Sequence, residues 1–384
     1  MNNQNAIYFD YAASTPVDPQ VLKSMLPYFN KYYGNPGGTH SYSRHLAEQA
    51  EACRTLIAKG LNIKPSEIIF MASATEANNT IFNSIARDKS IKGKHILISA
   101  IEHPSVTKPA EILADAGFKV EKIPVDSTGL VEPDKIEKQL REDTVLVSVM
   151  HVNNETGAIQ PIDQIGRLCR QHGILFHTDT AQSFGKIKID LNRINADYIS
   201  ISSHKLYGPL GCGLLYCRTG KPLMPLLYGG GQEYGRRSST LNVPGIIGLG
   251  AAFKIFEENR ENEINHLTSL KKYFMEKLSQ TIADWKINSP EGRSFPGIIS
   301  ISFKNLNAEI LNMQLNKNGF AVSTGSACSS GSMKPSSVLS AMGVAPEWIK
   351  GSIRFSFGRF TTIEQIDRLM QILPDLVQKV KNTR

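Results

Sequence analysis

The stretch "VLVSVMHVNNETGAIQPIDQIGRLCRQHGILFHTDTAQS", residues 145–183, decides the fold. It opens on an apolar run at 145–150, passes through an amphipathic segment at 162–173 and closes on a second apolar run at 174–178. Strands apolar throughout and joined by a helix predict a parallel pair buried on both faces, since a wet face would impose alternation. The pattern continues outward. "EIIFM" (67–71) and "HILIS" (95–99) lie upstream, with "TEANNTIFNSIARD" between them as another amphipathic helix. "DYISIS" (197–202) and "GLLYC" (213–217) lie downstream. The prediction is an α/β protein whose large domain carries a mostly parallel sheet with helices on both faces. Around 251–285 the sequence turns helical and bridges to a smaller C-terminal α/β domain. The expected boundaries are 15–255 for the large domain, and 1–14 with 256–384 for the small one.

Composition excludes several classes. The 384 residues are 41% hydrophobic and 20% charged, enough for one large globular domain and a smaller companion. No run of 18 apolar residues predicts a membrane helix. The start, "MNNQNAIYFDYAAST", lacks the basic and apolar regions of a signal peptide, so a cytoplasmic location is expected. The five cysteines, Cys53, Cys169, Cys212, Cys217 and Cys328, are odd in number and contain no C-x-x-C pair. A disulfide framework and a cysteine zinc site are therefore not expected, and no metal is assigned. The net charge of +8 is dispersed without a block of Lys/Arg, which disfavours nucleic-acid recognition as the primary role.

In open α/β sheets ligands collect beyond the carboxyl ends of the strands, so the residues after each run carry the chemistry. "ASATEANN" after 67–71 places Thr75 at a helix start, where free N–H groups receive a phosphate. "AIEHPS" places His103 before a helix, "HVNNETG" brings Asn153, Asn154 and Glu155, "DTAQS" brings Asp179 and Gln182, and "SHKLYGP" brings His204 and Lys205. Taken singly, His103 or Asp179 could cap a helix and Lys205 could be a solvated charge. Together they set a phosphate cup, a carboxylate, an amide and a lysine on one edge of one sheet. That combination fits pyridoxal phosphate, with lysine as the Schiff-base partner and aspartate holding the ring nitrogen protonated. Neither the G-x-x-x-x-G-K-[ST] of a P-loop nor the G-x-G-x-x-G of a dinucleotide site occurs.

Near the C-terminus, "STGSACSSGS" (323–332) surrounds Cys328 with small residues, whereas the other four cysteines have apolar neighbours. The motifs "YFDYAASTPVDP", "GNPGGTHS", "SATEANN", "EHPSV", "HVNNETGAIQPI", "HTDTAQSFGKI", "SISSHKLYGPLGCGLLY", "GGGQEYGRRSSTLNVPGI" and "STGSACSSGS…SIRFSFGRFT" resemble the group I cysteine desulfurases. These form the NifS/IscS-like branch of fold-type I pyridoxal-phosphate enzymes, and the resemblance runs from about residue 7 to 375. It implies pyridoxal 5'-phosphate as cofactor and Lys205 as both Schiff-base lysine and proton shuttle. It implies that Asp179 pairs with the pyridine nitrogen, that Gln182 and Asn154 contact the ring hydroxyl region, and that His103 stacks on the ring. Ala74, Thr75, Ser202 and His204 would surround the phosphate, and Thr240 would reach the phosphate of the other subunit of a homodimer. Arg354, assisted by Asn35, would clamp the carboxylate of L-cysteine.

The same resemblance makes Cys328 the thiol that takes sulfur as a persulfide. It carries that sulfur on a mobile loop, about 323–336, to acceptor proteins of iron–sulfur assembly, tRNA thiolation or DNA phosphorothioation. Ser203 and Ser239 depart from the commoner S-G-H-K and R-S-G-T, and "PDLVQKVKNTR" lacks the longer tail through which some relatives engage a scaffold. The competing expectation is a class V aminotransferase or lyase that leaves Cys328 idle.

Overall fold

The computed structural model describes residues 6–325 and 335–382; Cys328 lies outside them. The first strand, β1 (Ile7–Tyr8), pairs in parallel with a strand more than 300 residues away. Seven strands then build the main sheet: β2 (Ile68–Met71), β3 (His95–Ser99), β4 (Lys119–Ile123), β5 (Thr144–Ser148), β6 (Leu175–Asp179), β7 (Tyr198–Ser202) and β8 (Gly213–Cys217). Their order is β2-β8-β7-β6-β5-β3-β4. β4, β3, β5, β6 and β7 run parallel, while β8 is antiparallel to both β7 and β2. The sheet is thus mostly parallel, as its apolar runs predict, and β2, β3, β7 and β8 are buried at every residue.

Two details differ from the sequence pattern. β4, "KVEKI", is an edge strand with mostly accessible side chains, so no apolar run announces it. β5 ends at Ser148 rather than Met150, because the Glu102 carboxylate takes the Met150 N–H at 2.6 Å.

The smaller sheet comprises β9 (Trp285–Ile287), β10 (Ile298–Phe303), β12 (Ser323–Thr324) and β13 (Ser352–Ser356), antiparallel in the order β12-β13-β10-β9. The partner of β1 is β11 (Phe320–Ala321).

The helix Val243–Thr281 links two apolar cores. Its first third buries Val243, Ile246, Leu249, Ala252, Phe253 and Phe256. Of these, Ile246, Leu249, Phe253 and Phe256 pack with the main-sheet strands. Leu267, Leu270, Phe274 and Leu278 instead join Phe9, Ile301, Phe355 and Leu373 in the second core. Among the described residues no helix is long and apolar enough to cross a membrane.

Candidate active site

The helix Ala74–Arg87 starts directly beyond β2. Ser73 caps it, its Oγ accepting from Glu76 N–H at 3.2 Å, and Ala77, Ile81, Phe82 and Ile85 form the buried face at helical spacing. The Ala74 N–H donates to Ser202 Oγ at 2.7 Å, which ties the helix start to the end of β7. Thr75, between them, is exposed at the positive end of the helix dipole.

Asp179 ends β6 and is buried. Its Oδ1 accepts from Ala181 N–H at 2.8 Å and its Oδ2 from Asn78 Nδ2 at 2.9 Å, so two donors orient the carboxylate and leave it lone pairs for a ring N–H. Asn78 Nδ2 also donates to Ser105 Oγ at 2.8 Å, which stands 2.8 Å from His103 Nδ1. His103 caps the helix Pro104–Asp115, its Nδ1 accepting from Ser105 N–H at 3.1 Å. The capping role is real, and it fixes the neutral ring with its proton on Nε2. Burial lowers the His103 pKa; the Asp179 charge opposes that shift and Lys205 adds to it. The three groups thus feel one another's fields.

Lys205 closes a single 3-10 turn after β7, with Nζ 2.7 Å from both Ala12 O and Ala13 O. His204 Nδ1 lies 3.1 Å from Ser14 Oγ, and burial, with Lys205 and Lys186 nearby, pushes its pKa down to about 4. Gln182 is buried and donates from Nε2 to Ala12 O at 2.7 Å. Arg354, on β13, is buried and donates to Asn154 O at 2.8 Å and to Asp10 Oδ1 at 2.7 Å. The Arg354 Nε is buried without a hydrogen-bond partner among the described residues.

Ala74, Thr75, Ser202, His103, Asp179, Gln182, His204, Lys205, Asn154 and Arg354 therefore stand on segments that meet through hydrogen bonds, the N-terminal residues 10–14 included. Asn35 and Thr240 do not join them. Both are exposed, and Asn35 lines a cavity of about 200 Å³ with Gln232, Tyr234 and Leu241, the segment that carries Thr240. The donor set fits pyridoxal phosphate: a lysine for the aldehyde carbon, an oriented carboxylate for the ring nitrogen and a helix N-terminus for the phosphate.

The family model for class-V aminotransferases matches residues 7–369. The chain belongs to that family. The cysteine desulfurase IscS of Dictyoglomus turgidum is 41% identical over 375 residues, 98% of this chain and 95% of that protein. Among solved structures, a NifS-like protein superposes with a TM-score of 0.92 at 36% identity, covering 97% of this chain and 100% of its own. SspA in complex with cysteine superposes with a TM-score of 0.83 at 34% identity, covering 92% of this chain and 99% of its own.

In this class-V aminotransferase family member several site residues carry no signal in their own motif. Asp10 meets Arg354 across 344 positions, and Asn78 is a mid-helix amide that only the fold brings to Asp179. Glu155 follows β5 in sequence, yet its role depends on chain-distant neighbours. Ser336 Oγ donates to its Oε2 at 2.5 Å, and a Cβ on Gly325 would come within 2.7 Å of the same oxygen. Gly325 and Ser336 thus both adjoin one carboxyl, whose pKa burial raises to about 7 against the pull of the Ser336 hydroxyl and of Arg354. Cys169, Cys212 and Cys217 are buried, and burial pushes each thiol up to about 12, which makes them inert.

Proposed function

We propose that the chain is a pyridoxal-phosphate-dependent cysteine desulfurase that converts L-cysteine to L-alanine and carries the sulfur on Cys328 as a persulfide. The observation behind this reading is the meeting of Lys205, Asp179, His103 and the Ala74–Arg87 helix start on one sheet edge, in a chain so similar to an IscS desulfurase. When bound, the cofactor supplies an electron sink for the pair left at the substrate Cα. Lys205 holds it and, once released, moves the proton at Cα. Asp179 would keep the ring nitrogen protonated, and His103 would stack on the ring. Arg354 would bind the substrate carboxylate through its guanidinium. The Cys328 thiolate attacks the substrate Sγ: the S–S bond forms, the Cβ–S bond breaks, and Cβ takes a proton to leave alanine.

The same reading makes the working unit a homodimer in which Thr240 reaches the partner's phosphate. Phe29, Tyr33 and Tyr42, and before Thr240 Leu227, Tyr228 and Tyr234, are exposed apolar residues that a subunit contact would cover. It assigns 15–255 to the cofactor-carrying domain, and 1–14 with 256–384 to the smaller domain. The sulfur acceptors are proteins of iron–sulfur assembly, tRNA thiolation or DNA phosphorothioation.

The deciding experiment compares wild type with Cys328→Ser. The variant should keep the yellow cofactor absorbance and its spectral response to L-cysteine. It should lose about 100-fold or more in sulfide and alanine release, and carry no reductant-labile ³⁵S label. Undiminished sulfur release would replace the proposal with an aminotransferase or lyase that leaves Cys328 idle.

A further inference from the structure

A second lysine, Lys186, lies buried four residues after Gln182. Its Nζ donates to Gln182 Oε1 at 2.6 Å and stands 5.5 Å from the centre of the Phe295 ring. Glu263, the carboxylate that pulls on it from the helix Val243–Thr281, is already engaged by Arg359 at 2.9 Å. The cavity it shares with Tyr11, Thr15, Tyr207 and Glu263 holds about 10 Å³, too little for a ligand. Lys186 therefore has no room for substrate chemistry of its own. Its named hydrogen-bond partner is the Gln182 amide.

That contact has a directional consequence. Burial lowers the Lys186 pKa to about 7, so at pH 6.5 the ammonium predominates; it is donor-only, and the amide oxygen of Gln182 then faces it with the NH₂ facing away. The NH₂ then donates to Ala12 O, the same oxygen that receives Lys205 Nζ at 2.7 Å. Two donors, the Gln182 amide and the Lys205 ammonium, are thereby held against one backbone oxygen. Without Lys186 the amide keeps only Ala12 O to orient it, an oxygen already shared with Lys205, and a turned amide would set its own oxygen where it opposes an anionic ring oxygen.

We infer that Lys186 is a positioning residue, which locks the Gln182 amide with its N–H groups toward Lys205 and so presents a donor, not an acceptor, to the ring oxygen of the cofactor. This rests on the reading of the site as a pyridoxal-phosphate site.

The test is the affinity of the resolved apoprotein for pyridoxal phosphate, by equilibrium dialysis at pH 6.5, for wild type, Lys186→Met, Gln182→Leu and the double variant. Lys186→Met alone should weaken binding about tenfold, and less than twofold in the Gln182→Leu background, because its effect passes through that amide. Equal losses in both backgrounds, or no loss in either, overturn the inference while leaving the cofactor reading intact. A wild-type apoprotein that binds no pyridoxal phosphate overturns the cofactor reading itself. A purely structural lysine would lower the melting temperature without moving the affinity, and that result also counts against the inference. If Lys186→Met does not fold, Lys186→Gln serves. Its amide can accept as well as donate, so threefold or greater weakening is expected in the wild-type background and none with Gln182→Leu; equal losses overturn the inference.

Discussion

Glu155 shows how a single buried carboxyl ties stability to pH. Its folded pKa of about 7 lies above the ordinary 4.5, with burial as the main cause. Its stabilising contribution is therefore fully present below about 4.5 and is lost as pH rises through 7. Glu155→Gln, which stays neutral and can still accept from Ser336, should melt close to wild type at pH 5 and higher at pH 8. The gain should be roughly 2–3 kcal/mol, read from thermal denaturation at the two pH values. A pH-independent difference would mean that Glu155 stays ionised throughout.

At this scale the sequence places polar residues at or just beyond the strand ends, and the structure has them there: Asp179 ends β6, and His103, Gln182 and Lys205 follow β3, β6 and β7 within a few residues. It was illegible where a side chain acts through a neighbour distant in the chain. Asp10 and Asn78 look like ordinary polar residues until folding brings them to Arg354 and Asp179.

Among the elements, β8 sets the geometry around the start of the Ala74–Arg87 helix, the proposed phosphate end. Gly213 opens it opposite Ser202, and a Cβ there would fall 2.4 Å from Ile201 O and 3.0 Å from Ser73 Cα. Both neighbours are backbone, so neither can swing aside. Gly213→Ala should cost about 1–3 kcal/mol in stability and push the Ser73 cap away from Ser202. Cofactor affinity, measured beside the melting curve, should fall with it; a stability loss with unchanged affinity would make the glycine a packing requirement alone. The parallel strands were readable because burial on both faces removes alternation. The direction of β8 was not, since "GLLYC" is as apolar as its parallel neighbours and carries no mark of orientation. The pairing of β1 with β11 was equally hidden, two short strands separated by most of the chain.

For the whole molecule, exposed aromatic residues define the expected subunit contact. Phe29 is 62% exposed and Tyr228 63%, and the proposed dimer would cover both. Light scattering should give wild type twice the chain mass of 42.4 kDa, and Phe29→Glu with Tyr228→Glu should shift it to the monomer. Because Thr240 is proposed to serve the partner's site, the monomer should also lose cofactor. A monomer that binds pyridoxal phosphate as tightly as wild type would remove Thr240 from the site.

The helix Val243–Thr281 runs for 39 residues, about 58 Å. Its start is buried with the main sheet and its end with the smaller one, and Asn242 caps the start through Gly245 N–H. Neither core can melt without stripping one half of a continuous hydrogen-bond ladder from its support. One helix therefore braces both the core beneath Lys205 and the core beneath Arg354, and a change that loosens either core draws on the support of the other.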